Sequence, residues 1–390
     1  MTGFVPGNCI ELLCSGAEYF PALEAALDAA NQEIYLATYI FEGDGTGHRI
    51  AQALMRAARR GVMTHLLIDG FGSKDLGRDL MQSMRDAGVR TRIFRPQISL
   101  WTLRRERLRR LHCKLTVIDA KIAFVGGINI IDDMQTPSQI PPRFDYAVRL
   151  EGPLLAQIHP VAVHLWTLAT WTELHQRWRK TSPAAIQAAY CGTQRAAFVI
   201  RDNLRHRKDI EHAYLDAIAN AKDEIVIANA YFFPGRSFRR ALVDAAARRV
   251  RVVLLLQGRV EYVLLYYAAR ALYGQLLDAG VEIYEYHHSF LHAKVAVIDQ
   301  RWATVGSSNI DPLSLLLARE ANIVIDDAGF ALKLLQSLKN AIETGAYRLR
   351  SGDWERGSYS LPVRTLTWIC YQLVRFLSGW SSYGRAQEFR

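Results

Sequence analysis

The chain has 390 residues, half of them hydrophobic, which excludes a disordered polyelectrolyte and provides for a large core that would normally divide into two domains. Lys plus Arg number 48 against 38 Asp plus Glu, so the net charge of +10 favours a polyanionic partner, either nucleic acid or a membrane rich in anionic lipid. Cys9, Cys14, Cys113, Cys191 and Cys370 are scattered, odd in number and form no CxxC pair, which argues against a disulfide framework or a zinc site.

The N-terminal stretch MTGFVPGNCIELLCSG has no basic region leading into an apolar one, so no secretory leader is expected. Tyr19, Leu23, Ala26, Leu27 and Ala30 then fall at helical spacing and feed an apolar strand, EIYLATYIF. AARRGVMTHLLIDG and DAGVRTRIF continue the alternation of helix and strand. The basic segment SLWTLRRERLRR follows, and then RLHCKLTVIDAKIAFVGGIN at residues 110–129. After an interruption near residues 180–195, around Pro183 and Gly192, the same order returns. Ile210, Tyr214, Ala217, Ile218 and Ala221 each stand 191 residues after their counterparts and lead into EIVIANAYFF. AARRVRVVLLLQG, DAGVEIYEY and FLHAKVAVIDQRWATVGSSN complete the second copy.

The chain therefore reads as a duplication of an α/β unit with a mixed or largely parallel sheet. The expected domains are residues 8–180 and 195–345, followed by a C-terminal segment, 346–390. The copies differ in their insertions. Gly88 to His112 is 24 residues and Gly280 to His292 only 12, so the first copy has gained the basic segment. The second copy instead has RVEYVLLYYAARALYG, aliphatic and aromatic, ahead of its motif.

In a strand, residues i and i+2 share a face, so His112 and Lys114 point one way and Cys113 the other; His292, Ala293 and Lys294 repeat the pattern. Each pair is followed by an Asp and then by a turn of small residues ending in Asn129 or Asn309. Packed about a pseudo-twofold axis, the two units would bring both histidines into one cleft. One imidazole would attack phosphorus, the other would protonate the leaving oxygen, and the lysines and asparagines would stabilise the non-bridging oxygens. A phosphodiester suits that set. No metal or other cofactor is expected, because lysine is a poor ligand and no acidic residue shares the strand face. Cys113 reads as a buried strand residue, its counterpart being Ala293.

These residues resemble the duplicated H-x-K-x4-D-x6-G-S-x-N motif of the phospholipase D superfamily. HAKVAVIDQRWATVGSSN matches it fully, whereas HCKLTVIDAKIAFVGGIN has Gly127 where the motif has serine. FDYAVRLEGP, IANAYFFPG and WATVGSSNIDPLSL are similar to the bacterial cardiolipin synthases, over roughly residues 10–380. The resemblance implies two repeated phospholipase D-like domains and a two-step route through a phosphatidyl-histidine. Its catalytic set is His112, Lys114, Asp119, His292, Lys294 and Asp299, with Asn129, Asn309 and Ser307 on phosphate. Within that set Asp119 and Asp299 read as braces of the turn. By the same likeness His112 is the nucleophile and His292 the general acid, an assignment the residues alone leave reversible. The resemblance further places a carboxylate after each motif to hold that motif's histidine, here Asp145 and Glu320.

The activity expected is transfer of a phosphatidyl group from phosphatidylglycerol, or another phospholipid, to a glycerol hydroxyl of phosphatidylglycerol. A phospholipase D-type hydrolase and a nuclease of the same superfamily are the alternatives. The hydrophobic insertion before the second motif favours lipid, so no nucleic acid is expected, and the number of subunits stays open. Along LPVRTLTWICYQLVRFLSGW, residues 361–380, Arg364, Thr367, Tyr371, Arg375 and Ser378 form a polar stripe beside Thr365 and Gln372. This favours an amphipathic helix lying in the membrane interface over one crossing it. The expected location is peripheral, on the cytoplasmic face of the bacterial inner membrane. Arg104, Arg105, Arg107, Arg109 and Arg110 would add attraction to anionic lipid just upstream of His112.

Overall fold

The computed structural model describes residues 3–95, 110–136, 139–170, 189–202, 206–260, 263–311, 318–350 and 361–379. The first half supplies β1 (Val5–Cys14), β2 (Glu33–Thr38), β3 (Met63–Asp69), β4 (Arg90–Phe94) and the short β5 (Arg110–Leu111). It continues with β6 (Lys114–Ile118), β7 (Ile122–Gly126), β8 (Arg143–Phe144) and β9 (Tyr146–Glu151). The second half supplies β10 (Gln194–Arg201), β11 (Glu224–Asn229), β12 (Arg251–Gln257), β13 (Glu282–Tyr286) and β14 (Phe290–Leu291). Its last strands are β15 (Lys294–Ile298), β16 (Trp302–Gly306), β17 (Ala318–Asp326) and β18 (Ala346–Leu349).

One sheet runs through both halves in the order β18-β13-β12-β11-β15-β16-β17-β10-β1-β9-β7-β6-β2-β3-β4. From the central β10·β1 pair the order reads the same outward in each direction, apart from β18, which is the pseudo-twofold relation expected of the repeats. The sheet is mixed, as each unit's pattern predicts. β2, β3 and β4 are parallel, as are β11, β12 and β13, while the motif strands join antiparallel. The repeats are thus not two separately closed sheets, because the antiparallel β1·β10 pairing, with Val5 opposite Ala196, makes them continuous.

Helices cover both faces, which explains strands that are apolar throughout rather than alternating; all six residues of β2 are buried. On the first half α1 (Ser15–Asp28), α2 (Gly45–Arg59) and α3 (Arg78–Asp86) close one core, containing Leu23, Leu27, Ile50 and Leu54. α4 (Leu155–Thr170) closes the opposite face. In the second half α5 (Asp209–Asn220), α6 (Arg236–Ala247), α7 (Val263–Arg270) and α8 (Tyr273–Asp278) close a corresponding outer core. α9 (Ala328–Gly345) packs on the other face, and its Leu334 and Leu338 share a single core with Leu155 and Ile158 of α4.

The last helix, α10 (Leu361–Gly379), docks on α7 and corrects the expected orientation of its polar stripe. Thr367 is buried together with Cys370 and Val374, and Tyr371 packs against Phe233 with ring centroids 5.8 Å apart. Leu366, Trp368, Ile369 and Leu373 face outward, with Trp368 60% and Ile369 50% exposed. The described part of the stripe carries no charge, so it can pack on protein. The large apolar residues then have nothing among the described residues to cover them. The side chains of Arg364, Arg375 and Ser378, and the run Arg104, Arg105, Arg107 and Arg109, lie outside the described residues.

Candidate active site

Each histidine follows a two-residue strand that pairs with the opposite half. β5 lies parallel to the start of β17, with Leu111 opposite Arg319, and β14 lies parallel to β8, with Leu291 opposite Phe144. The His112 N–H donates to Arg319 O (3.1 Å) and the His292 N–H to Phe144 O (2.8 Å). Arg319 precedes Glu320 and Phe144 precedes Asp145, so each histidine is laid beside the carboxylate of the other repeat. His112 Nδ1 is 2.9 and 3.1 Å from the two oxygens of Glu320, and His292 Nδ1 is 2.6 Å from Asp145 Oδ2. The expected pairing within each motif is therefore corrected to a crossed one. The physical reason is the strand pairing across the pseudo-twofold axis. With Nδ1–H directed at a carboxylate, Nε2 is the nitrogen left for chemistry.

The lysines are almost wholly buried. Lys114 Nζ donates to His112 O (2.8 Å). Lys294 Nζ donates to His292 O, lies 2.8 Å from His292 Nδ1 and donates to Asp145 Oδ2 at 3.4 Å. Burial pushes both imidazoles below the ordinary histidine range, His292 well below it. Burial, followed by the charge of Lys294, lowers Lys114 to about 7; burial also lowers Lys294. For Asp145, burial acts to raise the carboxyl, but the Lys294 ammonium and the His292 imidazole overcome it and hold the group below its usual value. Charges from both repeats act on the same groups: Lys294 on His112 and Lys114, Glu320 on Lys114 and Lys294. The two motifs share one electrostatic site.

Around this cluster the repeats differ. The Ser307 hydroxyl, expected on phosphate, is buried, donates to Glu320 Oε2 (2.5 Å) and accepts from Ala321 N–H (3.1 Å). It buttresses the carboxylate that holds His112. In the first repeat Asp145 itself occupies the corresponding space, since a Cβ added to Gly127 would overlap its carboxylate. Gly127→Ser is accordingly expected to displace Asp145 from His292. An overpacking penalty of about 1–3 kcal/mol should accompany a loss of turnover larger than the fraction unfolded explains, read from thermal midpoint and initial rate together.

Asn129 Oδ1 accepts from Ile40 N–H (3.1 Å) and ties the small-residue turn to the end of β2, whereas Asn309 Oδ1 is buried with no donor among the described residues. Asp119 accepts N–H bonds from Asn31, Gln32 and Glu33, and Asp299 accepts them from Lys222, Asp223 and Glu224, each at 2.8–3.0 Å. Both sit in left-handed turns, with φ of 52° and 49°, at the end of the motif strand remote from the histidine. Cys113 is buried on the opposite strand face and its thiol is pushed up to about 12.

Three further residues escaped the motif reading. The Tyr39 ring lies 4.8 Å from His112, and Lys114 Nζ lies 5.5 Å from the Tyr39 centroid. Asp69 Oδ2 accepts the Leu111 N–H (2.9 Å), and Gln257 Nε2 donates to Leu291 O (3.3 Å), so each holds the residue before a motif histidine. The available signal was the aligned strand ends LLIDG and LLLQG, where Asp69 and Gln257 are the polar residues closing an apolar run.

Paired imidazole–carboxylate units with two buried lysines, on a duplicated sheet of this order, define a phospholipase D-type phosphoryl-transfer site. The model of the cardiolipin synthase, phospholipase D-like domain matches the chain twice, at residues 23–136 and 214–342. Cardiolipin synthase B of Escherichia coli K12 is 41% identical over 336 residues, 86% of this chain and 81% of that protein. Cardiolipin synthase B of Salmonella typhimurium is 43% identical over 340 residues, 87% of this chain and 82% of that protein. The solved phosphatidylserine synthase of Haemophilus influenzae has the same fold, with a TM-score of 0.74, 14% identity and 97% of each chain covered. The chain belongs to the cardiolipin synthase family of the phospholipase D superfamily, a family of phosphatidyltransferases.

Proposed function

We propose that the chain condenses two phosphatidylglycerol molecules into cardiolipin and glycerol. The observation that supports this most is the crossed arrangement, which gives each imidazole its own buried carboxylate within one site. In the first step His112 Nε2 attacks the phosphorus of the donor lipid. The bond to the departing glycerol oxygen breaks, and His292 supplies the proton that oxygen needs. In the second step neutral His292 takes the proton of an acceptor glycerol hydroxyl, that oxygen attacks phosphorus, and the P–N bond breaks to restore His112. Lys114 and Lys294 supply positive charge opposite the non-bridging oxygens. Asp145 and Glu320 orient the imidazoles and stabilise their charged forms. Purified protein with labelled phosphatidylglycerol in mixed micelles tests the proposal: cardiolipin with released glycerol is expected. Phosphatidic acid alone would identify a hydrolase, and nicking of an added plasmid a nuclease.

The same reading places the protein peripherally on anionic lipid at the cytoplasmic face of a bacterial membrane. No helix among the described residues is long and apolar enough to cross a membrane. The net charge of +10 and the outward face of α10 both support surface binding. Trp368→Ser and Ile369→Ser are expected to reduce flotation with phosphatidylglycerol vesicles at low and high salt alike, because that face acts by burial rather than charge. Unchanged flotation in both variants would remove α10 from the membrane contact.

A further inference from the structure

The machinery at the two histidines is nearly symmetric, yet one cation breaks the symmetry. Arg143 lies on β8 two residues before Asp145, opposite Phe290, which itself stands two residues before His292. It is only 7% exposed, and its guanidinium carbon is 4.9 Å from the centroid of the Phe290 ring. Nη2 donates to Gln135 O (3.0 Å), and Nε is buried without an acceptor. Among the described residues no carboxylate lies within 4 Å of this guanidinium. Oδ2 of the nearby Asp133 accepts the Gly16 N–H (2.5 Å), and burial raises that carboxyl to about 6. A buried cation with no direct ion pair is unfavourable, and an anion at that point would satisfy it. The charge of Arg143 also lowers His292 and Lys294, which places it in the field of the reacting groups.

The corresponding position of the second repeat, two residues before Glu320, is Ala318. Ala318 pairs with Arg110, so an arginine accompanies His112 as well, but Arg110 has the carboxylate of Asp69 at 3.7 Å. Of these two arginines, the one on the His292 side has no carboxylate within 4 Å among the described residues, and Asp133 and Glu42 feel its charge only from farther away. The reaction proposed above contains a matching asymmetry. The phosphodiester being transferred meets the histidines and lysines. The acceptor brings a second phosphodiester that does not react and that lies a glycerol unit away from the hydroxyl handing its proton to His292.

Resting on that reading of the reaction, we propose that Arg143, backed by the face of Phe290, binds the non-reacting phosphodiester of the acceptor lipid. Arg143 thereby selects phosphatidylglycerol over water and over uncharged alcohols as the group that resolves the intermediate. The guanidinium suits the task because its planar fork grips two phosphate oxygens at once while its face stacks on an aromatic ring.

The test compares two acceptors that share one donor step. In phosphatidylglycerol micelles, cardiolipin formation uses an acceptor with a phosphate, whereas exchange of labelled glycerol into phosphatidylglycerol uses one without. Arg143→Gln is expected to lower cardiolipin formation at least tenfold relative to glycerol exchange, and Arg143→Lys to recover part of that ratio. An equal fall in both reactions, or no fall in either, would overturn the proposal. A wild-type measurement guards against a variant that fails to fold. Glycerophosphoglycerol, the deacylated headgroup, should compete for the site at a concentration at least tenfold lower than glycerol, and equal potency of the two would also overturn it. If the wild-type protein made only phosphatidic acid, the transferase reading would fail. Competition of the deacylated headgroup against that hydrolysis, in wild type and Arg143→Gln, would still decide whether Arg143 binds a phosphodiester.

Discussion

His112→Ala and His292→Ala are each expected to lower phosphatidyl transfer by at least about 10²- to 10⁴-fold, the range for losing a positioned acid–base group, while the protein stays folded. Neither residue can stand in for the other, because each Nδ1 is held by a different carboxylate and, on the proposed mechanism, one imidazole bonds to phosphorus while the other handles the proton. Loss of the ring is structurally tolerable at both positions. Without His292, Lys294 still pairs with Asp145; without His112, Glu320 keeps the Ser307 hydroxyl as a donor. Rate and thermal midpoint measured on the same preparation separate the effects. Near-normal turnover from either folded variant would end the two-histidine mechanism.

Glu320→Gln is expected to behave like His112→Ala, and Asp145→Asn like His292→Ala, although each carboxylate belongs to the other repeat. Removing the charge that orients an imidazole can cost about 10⁴-fold in a histidine enzyme, so both variants are severely slowed on phosphatidylglycerol. A phosphodiester with a p-nitrophenolate leaving group separates them, because that group departs without a proton. The first burst of p-nitrophenol should recover in the pair that lacks the proton-handling imidazole, although the second step still needs that base, and should stay low in the pair that lacks the nucleophile or its support. Whichever histidine proves nucleophilic, Glu320→Gln must track His112→Ala. If it tracks His292→Ala instead, the crossing has no mechanistic meaning. Stability distinguishes the two substitutions as well. Asp145→Asn leaves the buried Lys294 ammonium without its counter-charge, a loss of about 3–5 kcal/mol for a broken buried pair, whereas Glu320 has no lysine or arginine within 4 Å among the described residues. The larger drop in thermal midpoint belongs to Asp145→Asn.

Much of this was legible in the chain because it is local. The 191-residue offset between matching helical faces announces a duplication. The alternation in His-x-Lys puts imidazole and ammonium on one strand face, and Asp119 and Asp299 stand where a hairpin must turn. The apolar interiors of strands such as EIYLAT and EIVIAN, with no polar residue alternating among them, declare that both faces are covered. Each of these features depends on backbone period and side-chain chemistry within a few residues. The repeat then copies them, so two weak signals reinforce each other.

The tertiary structure decided what depends on partners distant in sequence. Sequence order suggested that Asp145 serves His112 and Glu320 serves His292. β5 pairs with β17 and β14 with β8, and those two short ladders exchange the carboxylates. No local preference encodes a two-residue strand's choice of partner; the pseudo-twofold closure of the sheet through β1 and β10 imposes it. Ser307 bonds to Glu320 because the crossed carboxylate arrives beside it, and Gly127 leaves room for Asp145 for the same reason. The orientation of α10 was likewise beyond the sequence. Its two faces are both partly apolar, and only the surface presented by α7 and Phe233 selects the one that is buried. Arg143 reads as one more basic residue until Phe290 is laid beneath it, since burial with no carboxylate within 4 Å among the described residues is a property of the assembled fold and not of the residue.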